Sequence, residues 1–102
     1  MSSPEVLTVI PFGGGSPLYS FDLPVGATWM QWAPDGRALD YVLTRAGASN
    51  IWRQALVGGQ PKQITNFKSD LIFDFAWSRD GKQLALERGA TSHDVILISN
   101  FK

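Results

Sequence analysis

The chain of 102 residues contains no cysteine and a single histidine. Without cysteine there is no disulfide framework, no thiol nucleophile and no cysteine-ligated zinc, so the fold must rest on the burial of apolar side chains. With one histidine, a transition-metal site would need carboxylates from separate loops. We therefore expect no metal and no cofactor.

An excess of charge is also lacking, because nine Lys and Arg residues balance nine Asp and Glu residues. A chain without net charge has no basic field for nucleic acid or for an anionic membrane surface, so we expect neither as a partner. No apolar run approaches the roughly 18 residues of a membrane span. Residues 1–15 carry no basic segment ahead of the apolar stretch 6–10, which predicts a soluble chain without its own export signal.

Ten glycines and six prolines disfavour long helices. The chain is nevertheless 44% hydrophobic, with four Trp, six Phe and two Tyr, so it can bury a core. Short apolar runs of period 2, each bounded by Gly, Pro, Asn or Asp, predict β-strands. We expect nine strands, at residues 6–11, 18–22, 28–33, 38–43, 50–56, 62–65, 72–78, 83–87 and 94–99.

The chain repeats itself at an offset of 45 residues, which falls to 44 after the repeated string, so that Asn50-Ile51-Trp52 aligns with Asp94-Val95-Ile96. A W-x-x-D-G-[KR]-x-L string begins at Trp32 and again at Trp77, and the same offset aligns two Gly-Gly pairs. A period of this length indicates stacked supersecondary units. The aligned identities are Gly13/Gly58, Gly14/Gly59, Trp32/Trp77, Asp35/Asp80, Gly36/Gly81 and Leu39/Leu84.

One period reads as four strands, A to D. Strand A ends at the turn Pro34-Asp35-Gly36, where Pro presets φ and Gly accepts a positive φ. A loop at 46–49 is expected between strands B and C, and Gly58-Gly59 turns the chain into strand D. The single segment 1–102 then divides into a partial unit with strands C and D (5–22), a full unit (28–66) and a unit with strands A, B and C (72–99).

The two strings Trp32-Ala33-Pro34-Asp35-Gly36-Arg37-Ala38-Leu39 and Trp77-Ser78-Arg79-Asp80-Gly81-Lys82-Gln83-Leu84 resemble the WD40-like (PD40) repeat of TolB-type β-propellers. That repeat usually reads W-S-P-D-G-K-x-I/L-A-F. The resemblance implies an all-β fold of about two four-stranded antiparallel blades, which closes only with further blades or by oligomerisation. Two residues depart from the pattern: Arg79 replaces the usual Pro, and Asp40 stands where a small residue is common.

The stretch from Gln83 to Lys102 is similar to the C-terminal end of propellers appended to bacterial membrane-anchored serine/threonine kinases and winged-helix regulators. Such a propeller is generally taken as a sensory or interaction module, and it would lie outside the cytoplasm if the parent is a membrane-anchored kinase. The chain carries no kinase signature, so the resemblance implies no catalysis here.

The repeat also singles out residues for structural roles. Trp32 and Trp77 share one repeat position, so we expect both to pack between neighbouring blades. Trp29 and Trp52 have no aromatic counterpart in the other period, which makes them candidate contact residues on an exposed patch or at a subunit interface. The residues expected to maintain the repeat are Trp32, Asp35, Gly36, Leu39, Gly58, Gly59, Trp77, Asp80, Gly81 and Leu84.

No set of residues predicts catalysis. In Ser92-His93-Asp94 the three side-chain types of a catalytic triad are adjacent, yet strand neighbours point to opposite faces and cannot converge. Asp35 and Asp80 lie in turns, where capping of the backbone is the expected role. The run Gly13-Gly14-Gly15 lacks the Lys and helix of a phosphate loop, so it reads as a hairpin turn.

Two blades leave two apolar faces and their edge strands in water. We therefore expect either the remaining blades of a longer chain or a homo-oligomer, in which two, three or four chains give four, six or eight blades. A monomer would instead pack two small sheets as a sandwich. The sequence favours a non-catalytic interaction, scaffold or sensory module. It does not identify the protein or small ligand that would bind at the ring mouth. The alternatives are the accessory propeller of a prolyl-oligopeptidase-like serine peptidase, or a blade fragment built to study propeller assembly.

Overall fold

A computed structural model describes residues 5–16, 18–90 and 93–99. The described residues form nine β-strands and no helix, and the strand ends lie within two residues of those predicted from the sequence. The strands are β1 (Glu5–Val9), β2 (Tyr19–Leu23), β3 (Thr28–Trp32), β4 (Ala38–Arg45), β5 (Ala48–Ala55), β6 (Lys62–Gln63), β7 (Leu71–Trp77), β8 (Gln83–Gly89) and β9 (His93–Ser99).

The strands form three antiparallel sheets in chain order, and none of the sheets closes into a barrel. β1 and β2 form a hairpin, β3-β4-β5-β6 form the middle sheet, and β7-β8-β9 form the third sheet. Each strand pairs with its neighbour in sequence, which short turns between antiparallel strands favour. The predicted all-β fold class, with one four-stranded sheet flanked by incomplete ones, is confirmed.

The turns that carry the repeated Asp-Gly pair are built alike in the middle and third sheets. The Asp35 carboxylate accepts a hydrogen bond from the Arg37 backbone N–H at 2.9 Å. Asp80 accepts the equivalent bond from Lys82 at 3.0 Å and a second from the Ser78 hydroxyl at 2.6 Å. The Ser78 hydroxyl and then the Lys82 N–H lower the pKa of Asp80. Both carboxylates therefore cap their turns.

The predicted loop at 46–49 is wrong, because the strands continue into a two-residue turn. Arg45 pairs with Ala48, and the turn residues Ala46 and Gly47 both have positive φ, of 52° and 79°. Two central residues with positive φ match the right-handed twist of a hairpin. The left-handed conformation costs Ala46 about 1–2 kcal/mol, and the additional strand pairs offset it, including the contact between the Thr44 and Ser49 hydroxyls at 2.6 Å.

The β1–β2 hairpin is paired three residues away from the register that the repeat predicts. Trp52 pairs with Gln63 in the middle sheet, and their counterparts at the offset of 45 are Leu7 and Leu18. Leu7 pairs instead with Phe21. An odd shift turns the opposite side chains towards the core. The shifted hairpin has five residue pairs and buries Leu23 against the middle sheet.

Two apolar cores lie on opposite faces of the middle sheet, because successive side chains of β4 point to opposite sides. Tyr41 and Leu43 face the hairpin, where they form a core with Leu23 and Ala27. Val42 faces the third sheet. The core on that side consists of Val42, Ile51, Ile72, Phe75, Leu84 and Leu86, with Ile64, Phe67, Trp77 and Ile98 packed against it.

The two Asp-Gly turns touch each other across the sheets. Gly36 and Gly81 have nearly the same φ, 73° and 74°. A Cβ atom on Gly81 would lie 2.9 Å from the Cβ of Pro34, whereas a Cβ on Gly36 would meet no atom within 4 Å. The second turn is therefore constrained by its neighbour as well as by its backbone conformation.

This difference predicts unequal costs for the same substitution. Gly36→Ala should destabilise the fold by the left-handed penalty alone, about 1–2 kcal/mol. Gly81→Ala should cost about 1–3 kcal/mol more, because the methyl group also overpacks against Pro34. Urea unfolding at one protein concentration measures both, and Pro34→Gly in each background should remove the excess only from Gly81→Ala. Equal losses for the two alanine variants would contradict the contact.

Candidate interaction surfaces

A buried carboxylate joins the middle sheet to the third sheet. Asp40 is fully buried and accepts hydrogen bonds from Arg53 Nε at 2.7 Å and Arg53 Nη2 at 3.0 Å. Its Oδ2 also accepts a bond of 2.9 Å from Trp77 Nε1 of the third sheet. A buried carboxylate is tolerated only when its oxygens are paired in this way. Asp40, Arg53 and Trp77 are referred to below as the joint.

The strand pairing explains how the joint forms. Asp40 and Arg53 are opposite each other on β4 and β5, so both side chains lie on the face that meets the third sheet. Trp77 ends β7, and the Arg53 guanidinium lies 5.5 Å from the centre of the Trp77 ring, within the range of a cation–π contact. The hydrogen bond to Asp40 raises the pKa of Arg53 and keeps the guanidinium charged.

A second polar contact ties the same two sheets together. Gln31 of β3 donates its side-chain N–H to the backbone carbonyl of Phe75 in β7. The Gln31 and Trp77 contacts reach the middle sheet through different strands, β3 and β4. The third sheet is therefore oriented by two directional bonds in addition to the apolar core.

The third sheet has no copy of the joint on its outer face. At the repeat positions of Asp40 and Arg53 it carries Ala85 and Leu97, which are paired on β8 and β9. The outer side chains of β9 face solvent, with Val95 79% and Leu97 60% exposed. A shallow groove of about 230 Å³ crosses this face next to Val95 and Ala85. An exposed apolar sheet face of this kind indicates a contact surface.

Trp32 and Trp77 share a repeat position but not an environment. Trp77 packs between the sheets, as expected, whereas Trp32 is 51% exposed. The expectation for Trp32 is wrong in this chain because the sheet before it contains only β1 and β2 in the described residues. That hairpin covers Tyr41 and Leu43 and leaves the Trp32 end of the middle sheet open.

The two candidate contact tryptophans differ from each other. Trp29 is 55% exposed, and its φ of 54° places it in the left-handed region, which is a genuine outlier for a bulky residue. It lies in a β-bulge of β3 between Thr28 and Gln31, and β7 has a bulge between Ile72 and Asp74, slightly earlier in the repeat. Trp52 is half-buried and packs against the core that contains Tyr41. Trp29 is thus exposed on the same strand as Trp32, three residues before it.

The remaining predicted residues lie in turns and cores. Leu39 and Leu84 are buried. Gly58 and Gly59 form the turn after β5, where the Gly58 N–H bonds to the Ala55 carbonyl and the Gly59 carbonyl accepts from the Gln54 side chain. In the loop between β1 and β2, the Gly14 N–H bonds to Pro11. Of Ser92-His93-Asp94, Ser92 lies outside the described residues, while His93 and Asp94 begin β9.

The structure reveals one set of interacting residues, the joint, that the sequence analysis did not predict. In the sequence, Asp40 stands out only as a departure from the repeat pattern. The sequence does contain a signal for this pair. Strand B carries the acidic Asp40 and the next strand, C, carries the basic Arg53. Among the residues that the structure describes, no group of three or more His, Cys, Asp or Glu side chains is arranged to hold a metal.

No protein-family model matches the chain, and no curated protein matches it either. Within residues 5–16, 18–90 and 93–99, no helix is long and apolar enough to cross a membrane.

The joint predicts a specific pattern of mutant stabilities. Asp40→Ala should cost about 3 kcal/mol, because it leaves the Arg53 charge and the Trp77 N–H without their acceptor. The double variant Asp40→Ala/Arg53→Leu reproduces the Ala85/Leu97 pair of the third sheet and should recover about 2 kcal/mol of that loss, since the unpaired charge is gone. Chemical denaturation monitored by tryptophan fluorescence measures each value.

Asp35→Ala serves as the matched control for these variants. Asp35 caps an exposed turn, so its loss should cost less than about 1 kcal/mol. If the double variant were no more stable than Asp40→Ala, the unpaired Arg53 charge would not be the cause of the lost stability.

Proposed function

We propose that the chain is a non-catalytic β-propeller segment that serves as an interaction, scaffold or sensory module, and that further blades cover its two outer faces. One observation carries this proposal. The middle and third sheets stack through faces that the repeat relates to the two outer faces of the chain. Each outer face therefore carries the residues that correspond, by the repeat, to one half of a contact already present inside the chain. On the middle sheet the β1–β2 hairpin covers Tyr41 and leaves Trp32 exposed.

The inner contact has two unlike halves. The middle sheet contributes Asp40, Val42, Ile51 and Arg53, and the third sheet contributes Phe75, Trp77, Leu84 and Leu86. At the offset of the repeat, the first set corresponds to Ala85, Glu87, Val95 and Leu97 on the outer face of the third sheet. The second set corresponds to Met30, Trp32, Leu39 and Tyr41 on the side of the middle sheet that carries the hairpin.

Because the two halves differ, the next contact joins the Leu97 face of one unit to the Trp32 face of another. Contacts of this head-to-tail type close into rings. The blades on either side can come from a longer chain or from second copies. The edge of β9 also lacks a fourth strand among the described residues, and an edge of this kind accepts a strand from a neighbour.

The mass in solution tests assembly by second copies. Size-exclusion chromatography with light scattering should show an oligomer or larger aggregates, since two chains give four blades and three give six. A stable 11.2 kDa monomer with a single sharp unfolding transition would contradict this assembly.

Two complementary variants test its polarity. Trp32→Asp places a charge on one outer face, and Leu97→Asp places a charge on the other, so each variant alone should fall to the monomer mass. Mixed in equal amounts, the two should form a one-to-one heterodimer, because each retains one intact face. A symmetric contact of either face with itself would instead leave one of the two variants a dimer.

Val57→Asp is the control for these variants. Val57 is 95% exposed in the turn after β5 and belongs to neither face, so its charge should leave the mass unchanged. Circular dichroism of each variant checks that the strands are retained.

A further inference from the structure

A groove of about 290 Å³ lies at the end of the middle sheet, where the β4–β5 turn meets the chain that follows β6. Half-buried Trp52 and Phe67 form apolar walls. The polar lining consists of Arg45, Asn50, Gln63 and Lys68. This groove is distinct from the one beside Val95 on the third sheet. One of its walls is Trp52, which the sequence predicts as a candidate contact residue.

The wall that carries Phe67 is held in place by Asn50. Asn50 Nδ2 donates to the Phe67 carbonyl at 3.1 Å, and Asn50 Oδ1 accepts from the Phe67 N–H at 2.6 Å. The same oxygen accepts from the Thr65 hydroxyl at 2.8 Å. Because these bonds fix the segment from Thr65 to Phe67, the groove is preformed rather than a gap between mobile chains.

Backbone strain is concentrated around the groove. Of the three non-glycine residues with positive φ in the described part of the chain, Ala46 (52°) lines the groove, and Asp70 (72°) lies beside it. The Asp70 carbonyl accepts a bond of 2.9 Å from the Ser49 N–H, which ties the two turns together. Strained backbone of this kind persists only where the surrounding structure enforces it, and it clusters at ligand sites.

The groove carries positive charge. Arg45 and Lys68 are both exposed, and none of the described residues that line the groove is acidic. Lys68 uses one N–H for Asn66 Oδ1, at 3.2 Å, which leaves its other donors for a ligand. Arg45 lies on the same face as Tyr41. Burial raises the pKa of Tyr41, and the positive charge of Arg45 opposes that shift.

From this geometry we propose that the groove binds a small organic anion, an aromatic ring that bears one carboxylate or phosphate group. The ring packs against the Trp52 indole, and the anionic group lies between Arg45 and Lys68. Aromatic walls suit a flat ring, and guanidinium and ammonium groups are the usual partners of carboxylates and phosphates. The volume lies just below the usual range for ligand pockets, about 300–1,000 Å³, so it suits one ring rather than a larger ligand.

The groove lies on the face of the middle sheet that carries Tyr41, at the Arg45 end of β4, whereas Trp32 pairs with Leu39 near the other end of that strand. All its lining residues belong to one chain and to the middle sheet with the segment after it. Binding is therefore expected of a single chain with no partner on either outer face, and its failure would leave the propeller proposal intact.

Binding of four small probes to the full chain tests the proposal. Benzoate and phenyl phosphate carry the proposed chemistry, cyclohexanecarboxylate lacks the flat ring, and benzylammonium carries the opposite charge. Titration followed by the ¹⁵N–¹H signal of the Trp52 indole should show binding of benzoate, phenyl phosphate or both, with affinity falling as salt is added. The tighter of the two identifies the preferred anion. No shift with either, or an equal shift with benzylammonium, would overturn the proposal.

Charge-removing variants locate the bound anion. Arg45→Gln and Lys68→Gln should each weaken the binding of the better probe by about tenfold, the effect of one charged hydrogen bond. Arg37→Gln is the matched control, because Arg37 lies in the turn at the opposite end of β4, and it should leave the affinity unchanged. Equal affinities of the chain and both groove variants would show that the anion binds elsewhere.

Discussion

The Asp40 carboxylate is the constraint on which the arrangement of the sheets depends. A carboxylate without solvent exposure needs a donor for each oxygen, and Arg53 of the same sheet supplies two of the three bonds. The third comes from Trp77 Nε1 in the next sheet. The third sheet therefore completes the solvation of a charge in addition to covering apolar surface. That bond and the Gln31–Phe75 bond together fix its position along the middle sheet, because apolar contact alone is non-directional.

The same constraint makes the successive sheets unequal despite the repeat. The inner contact contains a buried ion pair and an indole donor, whereas Ala85 and Leu97 occupy the corresponding positions on the outer face. Buried ion pairs add little net stability, but the bonds to Asp40 are directional and therefore favour one arrangement. The inner contact therefore fixes one relative arrangement of its two sheets through polar bonds. The outer face of the third sheet has apolar side chains at the same positions.

Much of the fold follows from local patterns that can be read in the sequence. Alternating apolar residues place the strands, and the turns at Asp35 and Asp80 are built as the Pro-Asp-Gly chemistry predicts. Three features depend on tertiary context instead. Ala46 adopts a left-handed conformation because the strands around it continue to pair. The β1–β2 register follows from burial of Leu23, and the Asp40–Arg53 pair forms because pairing across strands brings residues 40 and 53 together.

The angle between sheets links the inner joint to the outer faces. The 2.9 Å bond from Trp77 to Asp40 holds only over a narrow range of relative orientation between the two sheets. The Gly81–Pro34 contact limits the same angle at the turns, because no side chain fits between them. An apolar face tolerates rotation more readily, since its stabilisation depends on area rather than on bond direction. In a closed ring, the difference between the inner angle and the angle that closure demands must therefore be taken up at the Leu97 and Trp32 faces.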